Sequence, residues 1–173
     1  MAKKIYISVI VGGIVIMAFY YFVGGFKEII IEEGGKLNYR IAGNFFYGKY
    51  DDRQVEMNFV AARDLILNKK VEGELCVVAY KSDTLKEEYI AQFIGVKLAD
   101  GTAIPEGFEE RVFSANQNAM VTLDMHPIAM PNPEEVQKKL TEFAETKGWT
   151  APGYFLEIYK PDNSMLVHVL KTP

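Results

Sequence analysis

Three landmarks recur along the chain at nearly constant spacing. Asp52 and Asn132 lie 80 positions apart, as do Gly73 and Gly153, while Tyr80 and Tyr159 lie 79 apart. The local patterns around them keep the same order. "KLNYRIAGNFF" alternates like a strand, and "YGKYDD" is turn chemistry ending in an Asx cap. Val55, Phe59, Ala62 and Ile66 then fall at helical spacing over 53–67, and "ELCVVAYK" and "YIAQFIGVKL" read as strands. In the second half "AMVTLDM" is a strand. Asn132, Pro133 and Glu135 mark a helix start with a capping box, Val136, Leu140, Phe143 and Ala144 form its apolar stripe, and Gly148 stops it. "YFLEIYK" and "SMLVHVLK" close the second copy. This regularity predicts an α+β fold built from a duplicated βαββ module. Two amphipathic helices would cover one face of an antiparallel sheet, with a groove along a pseudo-twofold seam.

The amino-terminal run "IYISVIVGGIVIMAFYYFVGGF", residues 5–26, carries no charge. At about 1.5 Å rise per residue it can cross a hydrocarbon core of roughly 30 Å. It predicts one transmembrane helix within an anchor over 1–26, with Tyr20, Tyr21 and Phe26 at the interface. A linker over 27–35 and a domain over 36–173 would follow. A cleaved signal peptide is the alternative, disfavoured by the length of the run and by "FVGGFKE" as a cleavage site. Lys3 and Lys4 precede the run and Lys27, Lys36 and Arg40 follow it, so the expected single-pass location leaves the side of the domain open.

Length and charge exclude some functions. The 173 residues accommodate one domain and an appendage. With 19 basic against 23 acidic side chains there is no excess of cations to meet phosphates, so no nucleic-acid partner is expected. A single cysteine, Cys76, rules out an internal disulfide. His126 and His168 have no third residue at ligand spacing, and no nucleophile motif or phosphate-binding glycine loop is present. No metal and no cofactor are expected.

The "YGKYDD" turn and "ETKGWTAPGYFLEIYKPD" resemble segments of the GyrI-like small-molecule-binding superfamily, which includes effector-binding domains of regulators and the SOUL proteins. The resemblance covers residues 35–171. A membrane span running directly into this domain, with "LCVVAY" and "LEIY", is similar to the branch of the testis-expressed ER-phagy receptor and its bacterial relatives. The acidic tail that carries the receptor's interaction motif has no counterpart here, so that role is not carried over. His168 also stands where the family often has an acidic residue.

The resemblance implies a groove glutamate facing a cationic ligand, matched by Glu157. Alternation puts Phe155, Glu157 and Tyr159 on one face, and the repeat puts Val78 and Tyr80 on the opposing half of the groove. An aromatic-walled cleft with one carboxylate suits a flat, apolar cation. The plainer alternative for Glu157 is a solvent-facing strand residue. Trp149 reads as a plug at a helix exit. The resemblance also implies a hydrolytic option, in which Trp149 would act with Glu157. The expected function is therefore a membrane-anchored module that binds a small molecule without chemistry. A protein-interaction scaffold at the membrane is the second reading and a GyrI-like hydrolase the third.

Overall fold

A computed structural model describes residues 2–25, 27–82, 84–150 and 153–171. Phe26 and Asp83, the latter part of the first Tyr-Lys-x-Asp signature, lie outside them. The elements run α1 (Ala2–Phe22), β1 (Ile31–Gly34), β2 (Leu37–Lys49), α2 (Arg53–Leu67), β3 (Gly73–Tyr80), β4 (Tyr89–Leu98), β5 (Glu109–Ala115), β6 (Asn118–Leu123), a 3-10 turn (Pro127–Ala129), α3 (Pro133–Thr146), β7 (Tyr154–Tyr159) and β8 (Met165–Leu170). The strands form one antiparallel sheet in the order β1-β6-β8-β7-β3-β4-β2-β5. The β3/β7 pair lies at its centre, with the order strand, helix, strand, strand on either side of it. The two edge strands cross over: β1 pairs with β6 and β5 pairs with β2.

Both main helices start as their sequences demand. The Asp52 carboxylate accepts from Gln54 N at 2.8 Å, and the Asn132 amide oxygen accepts from Glu134 N at 3.1 Å ahead of Pro133. Glu135 pairs with Lys139 along the helix at 3.5 Å, in place of the expected reciprocal bond to the cap. After α3 the chain turns at Gly148, whose φ of 67° suits a residue without Cβ. α2 packs on β2, β3 and β4, and α3 packs on β6 and β8. Ala62 of α2 packs with Ala42, Val96 and Leu98 beneath it, and Leu140 of α3 packs with Val121, Phe155 and Val167.

The opposite face is concave and fills itself. Tyr39 on β2 and His168 on β8 belong to strands four places apart, which a flat sheet would hold roughly 19 Å from each other. Their rings are 5.6 Å apart, edge to face. Gly43 and Gly95 pair directly on β2 and β4, and a Cβ on Gly95 would run into the Ala42 carbonyl. This close approach permits the bend. Cys76, Val78, Phe93, Leu156, Ile158 and Leu170 pack inside the resulting half-barrel.

The amino-terminal expectation needs correction. Among the described residues no helix is long and apolar enough to cross a membrane. The uncharged run does not continue as helix to Phe26. α1 ends at Phe22, Gly24 turns with φ 85°, and the Val23 carbonyl accepts from His126 N at 3.0 Å. The helical part of the run, 5–22, rises only about 27 Å. Its described apolar side chains, among them Ile10, Ile14, Phe19 and Phe22, are exposed.

Candidate functional site

Val77 and Glu157 face each other in the middle of the central strand pair. Cross-strand partners share a face, so Leu75, Val77 and Ala79 accompany Tyr159, Glu157 and Phe155. Leu75 packs in the core beneath α2 and Phe155 in the core beneath α3, which makes this the helix-covered face. Glu157 therefore sits on the floor between the helices. Tyr159 Oη donates to Glu157 Oε2 at 3.2 Å, and the Gln137 side chain of α3 also bonds the carboxyl. Burial raises the Glu157 pKa, because a charge there loses its water, and the bonds from Tyr159 and Gln137 act in the opposite sense. Among the described residues no cation forms an ion pair with Glu157.

The two sides of this floor differ in volume. Toward α2, Tyr159 fills the space, its ring edge-to-face with Phe59 at a centroid separation of 6.4 Å. Toward α3 the register offers Ala79, which brings a single methyl group. A cleft of about 600 Å³ opens there, lined by Ala79, Gln137 and Thr141, by Glu134, Glu142 and Glu145, and by Tyr80 and Tyr89. A larger cleft of about 890 Å³ lies at the foot of α1 between Phe22, Met125 and Asn163. Its Lys27 and Asp124 pair with each other in solvent at 3.2 Å. The smaller cleft is the better site, because Gln137, which bonds the buried carboxyl, forms part of its wall.

The structure brings together some of the expected site residues and separates others. Phe155, Glu157 and Tyr159 share the helix-covered face, but Phe155 is wholly buried beneath α3. Val78 and Tyr80 point to the concave face, where their cross-strand partners are Leu156 and Tyr154. They do not line the half of the groove opposite Glu157. The reason is a one-residue slip: the spacing of 79 equates Val78 with Glu157, whereas the glycine spacing of 80 equates Val77 with it. In a strand that slip exchanges the faces. Tyr80, at the strand end, still reaches the cleft. Trp149 packs in the core beneath α3, edge-to-face with Phe143 at a centroid separation of 6.4 Å, and it is 8% exposed. An indole held there has almost no surface to offer a substrate beside Glu157.

Sequence reasoning missed three features. Asn58, buried on α2, accepts from Gln54 Nε2 at 2.9 Å. Gln92 interrupts the apolar pattern of β4, and that interruption was the available signal. On the concave face Arg111 stacks over Phe93 at 4.3 Å and Phe45 at 5.1 Å and donates to Tyr80 Oη at 3.0 Å. Nothing in "EERVFSA" marks that arginine.

Fold and groove define a class: an α+β domain with a curled antiparallel sheet and a cleft beside a buried carboxylate. No protein-family model matches the chain, and no curated protein matches it. Solved structures do. The EcmrR C-terminal domain is similar with a TM-score of 0.52 at 12% identity, over 83% of this chain and 96% of that one. A hydrolase encoded by lin2189 from Listeria innocua gives a TM-score of 0.50 at 11% identity, over 87% of this chain and 97% of that one. SAV2435 bound to tetraphenylphosphonium gives 0.43 at 10% identity, over 82% and 92%. At these identities the likeness is one of fold.

Proposed function

We propose that this protein binds small organic cations in the groove between α2 and α3, with Glu157 as the counter-charge and no chemistry performed. The observation that carries the reading is a buried carboxylate, without a cationic partner among the described residues, beside an open cleft. Burial disfavours the charged carboxylate, and an arriving cation restores that charge in a medium where the attraction is strong. Tyr159 and Tyr89 add aromatic surface. The recurrence of strand, helix, strand, strand about the Val77/Glu157 pair supports reading the domain as a doubled module with the site on its axis.

Attachment to a membrane through α1 belongs to the same proposal. It is supported by the exposed apolar side chains of that helix, which water does not favour on every side. Flotation of the full chain with phosphatidylcholine vesicles checks it, and a chain left entirely in the dense fraction refutes it.

Tetraphenylphosphonium tests the binding site. It should raise the melting temperature of the full chain, and Glu157→Gln should lose most of that rise, with affinity falling roughly tenfold or more. Equal shifts in the two proteins refute the role of the carboxylate. The same Glu157→Gln substitution should leave the fold as stable as before or more stable near pH 7, because a carboxyl whose pKa is raised on folding contributes stability in acid and loses it as pH rises.

A further inference from the structure

A second polar group shares the floor with Glu157. Gln92 on β4 is in register with Ala79, so it belongs to the same helix-covered face. Its Oε1 is buried and, among the described residues, has no hydrogen-bond partner. Buried carbonyl oxygens are ordinarily bonded, and an unbonded one is costly. Its cross-strand partner is Ala79, which lines the cleft.

The register also sets a distance. Strands about 4.8 Å apart with a rise of about 3.4 Å per residue put the Cα atoms of Gln92 and Glu157 roughly 12 Å apart, diagonally across Ala79. With a hydrogen bond of about 2.9 Å at each end, a ligand spanning them needs two donor groups separated by between roughly 6 and 12 Å. The lining of the cleft sets Glu134, Glu142 and Glu145 of α3 against Lys138 of α3 and Lys81 after β3, so its charge does not repel a dication.

We infer that the groove selects elongated diamines, with one protonated nitrogen at Glu157 and a second donor at Gln92 Oε1. This rests on the cation site proposed above. It adds a requirement for N–H donors that a phosphonium or quaternary ammonium ion cannot meet. Gln92 is the specificity-determining residue. It supplies a neutral acceptor, so its contribution depends on donors in the ligand and not on the ligand's charge.

Calorimetric titration of the full chain with 1,6-diaminohexane and with hexamethonium tests this directly. The two share chain length and charge and differ in the presence of N–H groups. The diamine should bind about tenfold more tightly to the native protein, and that ratio should shrink several-fold in Gln92→Leu, with the loss falling on the diamine and not on hexamethonium. Equal or tighter binding of hexamethonium to the native protein overturns the inference without needing any variant to fold. A ratio unchanged in Gln92→Leu overturns the role of Gln92, since it would then arise at Glu157 or from the bulk of the methyl groups. Binding of tetraphenylphosphonium with neither dication overturns the inference and leaves the cation site standing. Failure of all three probes overturns both.

Discussion

The two faces of the β3/β7 pair differ in how they place polar groups. On the concave face, Arg111 lies against two phenylalanine rings and bonds Tyr80, and Asn118 Oδ1 bonds His168 Nδ1 at 3.0 Å while its Nδ2 donates to Gly35 O at 2.7 Å. Those polar groups tie strands together inside a filled half-barrel. On the helix-covered face, among the described residues, Glu157 has donors but no cation in an ion pair and Gln92 Oε1 has no partner, and a cleft opens at Ala79 and Gln137, which neighbour them. The concave face uses most of its polar groups to join strands, His168 Nε2 being left without a partner among the described residues, and the covered face holds its polar groups close to a cleft. Stability should therefore be concentrated in the concave face and recognition in the covered one.

The sharpest way to break this comparison is Leu156→Ala. Leu156 is fully buried in the half-barrel, and its truncation should cost about 2–5 kcal/mol in urea unfolding while the folded fraction keeps its affinity for tetraphenylphosphonium. A loss of affinity as large as that from Glu157→Gln would show that the faces are not separable.

Acid tests the same division at somewhat smaller cost. His168 is 3% exposed, and burial lowers its pKa from the ordinary 6.5 to about 4, with Lys97 and Lys160 pushing the same way. Between those values the unfolded chain holds a proton that the folded chain refuses, so stability should fall as pH drops from 6.5 toward 4, by about 3 kcal/mol in all. His168→Gln keeps a donor for Asn118 without titrating in this range, and it should flatten that part of the pH profile. An unchanged slope would remove His168 as its cause.

The smallest effect should come from Tyr80→Phe, which deletes the acceptor of the Arg111 bond. It should cost about 1 kcal/mol and leave cation affinity unaltered. A selective loss of affinity would instead assign Tyr80 to the site.

The order of strands and helices was readable in the chain because its signals are local: Asp52 and Asn132 as caps, the 3.6-residue stripe of α3, and alternation in β7. Facing was not, because it depends on register, and two spacings differing by one residue give opposite answers. The glycine landmarks were the better guide, since Gly73 and Gly153 both lie where strands begin, whereas the Tyr-Lys-x-Asp signature lies where they end and loops can absorb a residue. The curl was hidden as well. It depends on Gly43 meeting Gly95 across two strands, a contact that no window of sequence contains. The carboxylate on its own was visible as a charge inside an apolar strand. Gln92, 65 positions earlier, could be joined to it only through the sheet.

The exchanged edge strands bear on how the domain could be divided. A cut between Leu98 and Glu109 would leave the first fragment without β5 to flank β2, and the second without β1 to flank β6. Each piece would present a bare backbone rim that the other is shaped to cover. Co-expressed halves should accordingly find one another as a clasped heterodimer, while either alone should be prone to self-association along that rim.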